Sequence, residues 1–221
     1  MSEIDLMKRY PKSKRRKIIE ERVKVSNEDR EIARKFGWEY FDGPRRLGLG
    51  GYYYNSKYFK PVVEDMIEYY GLTNKSSILD VGSCKGFMLH DFIKALPSLT
   101  IAGIDISDYT LENTLDDVKP FCQKASCDDL PFEDNSFDLV ISIATIHNLE
   151  LEGVKKSLRE IMRVTRKDAF IKVNGYVTEE EHQELENWNL VAKTILHVDE
   201  WKKLFDETGY TGDYWWFRPN S

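Results

Sequence analysis

The stretch 78–92, ILDVGSCKGFMLHDF, constrains this chain more than any other. Ile78, Leu79 and Val81 suit a strand buried on both faces. Gly82, Ser83, Cys84, Lys85 and Gly86 make a turn, after which Phe87, Met88, Leu89, Phe92 and Ile93 recur at helical spacing. A glycine turn between a buried strand and a helix leaves backbone N–H groups at the helix start. It also lets the polar end of a ligand come close, because glycine lacks the Cβ that would clash.

A second apolar strand, TIAGIDIS at 100–107, carries Asp105 at its end. An acidic side chain there can accept both hydroxyls of a ribose lying across the strand ends. Turn and acid together indicate a nucleoside cofactor. The pyrophosphate fingerprint Gly-x-Gly-x-x-Gly fails, since Cys84 and Phe87 stand at its third and sixth places. A nicotinamide oxidoreductase is thereby disfavoured.

The same turn resembles motif I of the class I S-adenosylmethionine-dependent methyltransferases, an acid-x-Gly-x-Gly-x-Gly run. Asp80, Gly82 and Gly86 match it, and Cys84 replaces the middle glycine. The block at 127–150, CDDLPFEDNSFDLVISIATIHNLE, resembles the family's segment around its fourth strand, in the branch of the ubiquinone and menaquinone methyltransferases. The resemblance spans roughly 57–217. It implies a Rossmann-like α/β fold: a mostly parallel sheet with helices on both faces, the first five strands in the order 3-2-1-4-5. It also implies S-adenosylmethionine as cofactor and no metal.

Residue by residue, the resemblance implies that Asp80 and Gly82, within the turn that includes Ser83 and Gly86, hold the methionine end. Asp105, with Ile106 beside it, holds the ribose. Ser126 occupies the place of the family's adenine-contacting acid, with Cys127 and Asp128 next to it. The strand end at Ile143 runs past the sulfonium. Methyl transfer is an in-line displacement with a neutral leaving group, so protein groups mainly align the partners and exclude water. His147, in TIHNL after the fourth strand, is the candidate general base, since its pKa suits that task near neutral pH. It is also readable as a histidine that hydrogen-bonds backbone and shapes its loop. Asn174, at the end of the fifth strand, is a further candidate on the acceptor side.

The chain has 221 residues and 41% hydrophobic content, enough for one α/β domain with a full core. Neither a transmembrane run nor a secretory h-region is visible. Three cysteines without CxxC pairs suggest neither a zinc site nor a disulfide framework, and so a reducing, cytoplasmic location. The net charge of −6 is uneven: nine Lys or Arg against four Asp or Glu lie in the first 24 residues, leaving about −11 elsewhere. A basic arm on an acidic domain could meet nucleic acid or anionic lipid. Without interleaved aromatics, the KSKRRK run reads first as a solvated arm.

Three parts follow: a basic arm at 1–25, a helix with an aromatic, glycine-rich lid at 26–56, and the methyltransferase domain at 57–221. In the lid, Arg45 and Arg46 suit a phosphate or carboxylate on the acceptor. Tyr52, Tyr53 and Tyr54 could face the sulfonium or close over the acceptor. Of these, Tyr53 is assigned to the cofactor and Tyr54 to the substrate. The expected function is methyl transfer to a small molecule, with an anionic metabolite such as a phosphorylated sugar or sugar nucleotide as the candidate acceptor. The alternatives are an RNA methyltransferase using the basic arm and a non-catalytic cofactor-binding protein.

Overall fold

The computed structural model describes residues 1–11 and 25–218. Its sheet runs β3-β2-β1-β4-β5-β6, with β7 paired to the same edge of β5 as β6. The strands are β1 (Ser77–Val81), β2 (Thr100–Asp105), β3 (Cys122–Lys124), β4 (Phe137–Ile143), β5 (Thr165–Tyr176), β6 (Leu196–His197) and β7 (Asp213–Phe217). The helices are α1 (Asn27–Ala33), α2 (Trp38–Phe41), α3 (Ser56–Tyr70), α4 (Phe87–Ala95), α5 (Asp108–Glu112), α6 (Leu151–Val164), α7 (Glu179–Trp188) and α8 (Val198–Thr208). The expected 3-2-1-4-5 order is present. The crevice where that order reverses, at the carboxyl ends of β1 and β4, is where ligands of such sheets bind.

Burial on both faces explains the unbroken apolar strands. Every residue of β1 is buried. Leu79, Val81, Val140 and Ile171 pack toward α6 and α8, while Ile78, Leu139, Ile141 and Phe170 pack toward α3 and α4. Every strand pair among the described residues is parallel, β7 on β5 included. The resembled family usually ends with an antiparallel strand. Here α8 carries the chain across one face before β7, and a helical crossover of that length returns it parallel.

Helix boundaries have local causes. α1 is capped by Ser26, which forms a reciprocal capping box with Asp29. α3 begins at Ser56, because the Asn55 side chain accepts the Lys57 N–H. α5 stops at Glu112, where the Asn113 side chain turns back to donate to the Tyr109 carbonyl at 2.8 Å.

The basic arm is not wholly an arm. The Ile4 N–H donates to the Tyr214 carbonyl at 2.9 Å, and the Tyr214 N–H to the Ser2 carbonyl at 3.0 Å, which covers the outer edge of β7. Leu6 and Met7 are buried against α3, and Arg9 bridges Glu64 and Asp65, each at 2.9 Å. The KSKRRK run lies outside the described residues. Among the described residues no helix is long and apolar enough to cross a membrane.

The segment 26–54 is docked at both ends across the carboxyl side of the sheet. On one side Arg30 donates to the carbonyls of Glu186 and Asn189, while Ala33 packs on Leu190 and Val191. On the other, the Ser107 hydroxyl donates to the Phe36 carbonyl at 2.6 Å, and Lys85 meets Asp42.

Candidate cofactor and acceptor site

The turn after β1 is locked to β2. Gly82 N–H and Ser83 N–H both donate to the Ile104 carbonyl, at 2.8 and 2.9 Å. Cys84 N–H donates to Asp105 Oδ2 at 2.8 Å, and Gly86 N–H to the Ser83 carbonyl at 2.8 Å. These four amides of the turn itself are used within the protein, so none of them is left to cradle a phosphate. Gly82 has φ +86°, and a Cβ there would lie 2.1 Å from Thr145 Oγ1, so only glycine fits. Cys84, in place of the resembled glycine, holds φ +50°, a left-handed conformation that costs a non-glycine residue about 1–2 kcal/mol. Its bond to Asp105 keeps it there.

A cavity of about 1100 Å³ opens beside this turn. Its cofactor side includes Gly82, Cys84, Asp105, Ile106, Ser126 and Cys127, and it runs past Ile143 to His147, Lys172 and Asn174. Arg45 is on its rim. Asp80 lies buried under the turn. Other residues singled out in the sequence lie apart from the wall. Ser83 is buried with its hydroxyl unpartnered, Gly86 packs on Val118, and Asp128 turns back to accept from the Ser126 hydroxyl. Tyr53 is 72% exposed, Tyr54 donates to Asp91 at 2.6 Å behind α4, and Arg46 is paired with Asp29 at 2.9 Å.

Tyr52, not Tyr53 or Tyr54, is the tyrosine of that run in the wall. Its ring packs on Phe87 at 4.8 Å and on Phe41 at 5.9 Å. In an extended segment alternate side chains point opposite ways, so at most every second tyrosine can face the cavity. A run of three identical residues carries no sign of which one does.

The site's charges are unbalanced. Burial and the neighbouring Asp105 push the Asp80 carboxyl up to about 7. Burial also raises Asp105, opposed by the N–H groups of Ser107 and Cys84. Among the described residues neither carboxylate has a Lys or Arg partner. Two buried carboxylates in this arrangement suit a cationic ligand with vicinal hydroxyls, which fits S-adenosylmethionine. No group of His, Cys, Asp and Glu among the described residues is placed to hold a metal.

A pH dependence follows. A cation arriving beside Asp80 displaces its proton, so affinity rises with pH until the carboxyl is already ionised. Calorimetry should find S-adenosylhomocysteine, whose α-ammonium group makes it a cationic probe there, about tenfold weaker at pH 6 than at pH 8. Asp80→Asn should flatten that slope; an unchanged slope would assign it elsewhere.

On the acceptor side, burial, with Lys172 adding to it, lowers the His147 imidazole to about 3. Its Nδ1 faces the Asn174 N–H at 3.3 Å and its Nε2 faces Asn189 Nδ2 at 3.2 Å. The Asn189 side-chain oxygen already accepts the N–H groups of Val191 and Ala192, which orients its amide nitrogen toward the ring. The His147 carbonyl accepts from Lys193 and Thr194. Asn174 is 2% exposed, with its side-chain nitrogen unpartnered.

The family profile described as "Methyltransferase domain" matches residues 79–173. An uncharacterized protein of Haemophilus influenzae is 28% identical over 180 residues, covering 76% of this chain and 68% of that one. The tRNA (carboxymethyluridine(34)-5-O)-methyltransferase of Arabidopsis thaliana is 29% identical over 175 residues, covering 77% of this chain. The match spans only 40% of the plant enzyme's length. Among solved structures, a chain of the Haloferax volcanii complex between the Trm112 methyltransferase activator and a methyltransferase shares the fold. It has a TM-score of 0.55 at 17% identity, covering 86% of this chain and 76% of that one.

Proposed function

We propose that this chain, whose residues 79–173 match the methyltransferase-domain profile, is a class I S-adenosylmethionine-dependent enzyme that methylates an oxygen that arrives already ionised, a carboxylate on a small anionic molecule. The cofactor, when bound, supplies a methyl group activated by its sulfonium. Asp105 accepts the ribose hydroxyls, Asp80 faces the cationic methionine end, and Ile106, Ser126 and Cys127 flank the adenine. Tyr52 and the segment around it keep water from the reacting atoms.

The observation that carries the acceptor reading is the environment of His147. A neutral imidazole has one lone pair and one N–H. Both ring nitrogens here face N–H donors, so a second ring proton would meet another donor head-on. Such a ring takes no proton from an acceptor. Its role is positioning: it ties the end of β5 to the segment 189–194, which walls the acceptor side. A carboxylate needs no proton removed at neutral pH. Arg45 and Lys172, both in the cavity wall, suit its charge. Arg46, held by Asp29, leaves only one arginine of the suggested clamp.

Labelled S-adenosylmethionine offered with pools of small carboxylates, phosphorylated sugars, alcohols and amines tests this. The label is expected in base-labile methyl esters. Transfer confined to alcohols or amines would reject the reading.

One observation favours a second acceptor with the same chemistry. The Arabidopsis relative's name puts its methyl on an oxygen of carboxymethyluridine in tRNA. Bulk tRNA in the same assay distinguishes the two, since label in RNA that falls steeply with salt would select this alternative.

A further inference from the structure

Lys85 lies inside the glycine turn, yet its side chain leaves the turn and crosses to the segment above. Its Nζ is 2.5 Å from Asp42 Oδ2 and donates to the Tyr52 carbonyl at 3.0 Å. Asp42 Oδ1 accepts the Tyr52 N–H at 2.7 Å, and Asp42 Oδ2 also accepts the Tyr109 hydroxyl. Both ends of the Tyr52 residue are thus gripped, its N–H by Asp42 and its carbonyl by Lys85. The side chains of the pair are each 6% exposed. The rings of Tyr53 and Tyr109 lie 5.4 Å from the ammonium and complete its surroundings.

Stability alone is a poor reason for such a pair, because burying two charges costs about as much as their attraction returns. Its geometry supplies a better one. The pair joins the glycine turn, whose Cys84 lines the cavity, to the one tyrosine of the 52–54 run that also lines it. The Tyr52 ring rests on Phe87, the first residue of α4, directly after the turn. The Tyr52 residue lines the same cavity as Cys84 and Asp105.

We propose that Asp42 and Lys85 are positioning residues which, without touching ligand, hold Tyr52 over the Cys84 side of the cavity and so set the affinity for S-adenosylmethionine. This rests on the reading of the cavity as the cofactor site. The pair acts through Tyr52, so its loss and the loss of Tyr52 remove the same contact. The two losses are then expected not to add.

The experiment is a cycle read by calorimetric affinity for S-adenosylhomocysteine in the full chain. The variants are Tyr52→Ala, the apolar double Asp42→Leu/Lys85→Met, and the triple. Replacing both charges together avoids stranding one in the interior, so the double variant should melt within a few degrees of the parent. Tyr52→Ala and the double are each expected to bind about tenfold more weakly, and the triple no more weakly than the double. Where the double does not fold, Asp42→Asn replaces it; a smaller loss that again fails to add to Tyr52→Ala supports the proposal. Losses that multiply in the triple, or a double variant that binds like the parent, overturn it. If the parent itself binds no S-adenosylhomocysteine, the reading of the cavity fails first, an outcome distinct from the other two.

Discussion

In Asp105→Ala, S-adenosylmethionine no longer raises the melting temperature. For the parent, a ligand at about a hundred times its Kd adds about 2.7 kcal/mol, or about 5–10 °C for a chain of this size. Asp105 contributes twice. Its two oxygens accept the N–H groups of Cys84 and Ser107, at 2.8 and 2.9 Å, which fixes the strained Cys84 and the start of α5. Asp105 also lines the cavity, where a ribose would donate to it. Alanine strands two amides, at about 1–3 kcal/mol each, so the ligand-free variant should also melt earlier. Asp105→Asn keeps an oxygen for one amide and separates the effects: most of the intrinsic stability returns, most of the ligand shift does not. A full ligand shift in Asp105→Ala would remove the ribose assignment.

His147→Ala should cost stability more than chemistry. Removing a fully buried ring that bridges Asn174 and Asn189 leaves a cavity and unpaired groups, an expected loss of about 2–4 kcal/mol. The acceptor KM should rise as the segment 189–194 loosens, while kcat at saturation falls less than tenfold, short of the 10²–10⁴ that loss of a general base costs. A kcat loss within that range, with acceptor KM unchanged, would restore the base role.

His147 also predicts an acid-side slope. Its folded pKa, about 3, lies below the unfolded value of about 6.5, so only the unfolded chain gains the proton between them. That stabilising contribution is complete above about pH 6.5 and is lost as the pH falls toward 3. Asp80, whose folded pKa is raised, works in the opposite sense: its contribution is complete below about 3.8 and is lost as the pH rises through about 7. The two partly cancel in the parent. Comparing parent with His147→Gln from pH 7 to 5 isolates the histidine, and the variant should lose less stability on acidification.

The central layers of the fold were legible because buried parallel strands and their turn leave unmistakable residues. Ile78–Val81, Asp105 and Phe137–Ile143 fall in β1, β2 and β4, and Gly82 and Asp105 line the cavity beside them. What was not legible depends on contacts between distant segments. Leu6 and Met7, two apolar residues in a basic stretch, show no period, and only the exposed edge of β7 and the flank of α3 make them core. Asp42, within an Asp-Gly-Pro run, reads as a turn residue until Lys85 arrives from the glycine turn. Lys85 reads as a spacer for the same reason. Among Tyr52, Tyr53 and Tyr54, the facing is decided by the grip on the Tyr52 backbone, which one-dimensional pattern cannot contain. His147 does line the cavity, but its chemistry is set by Asn174 and Asn189, residues 27 and 42 positions away.

The most direct test of the account is parallel calorimetric titration of the chain with S-adenosylhomocysteine and NAD at pH 8. A turn whose amides are used internally, beside two buried carboxylates without a Lys or Arg partner, should bind the thioether nucleoside one to one through its α-ammonium group and ribose hydroxyls, and leave the anionic pyrophosphate of NAD without a partner. Saturable binding of S-adenosylhomocysteine, abolished by Asp105→Ala, with no detectable heat from NAD, is the expected result. Tighter binding of NAD would contradict it.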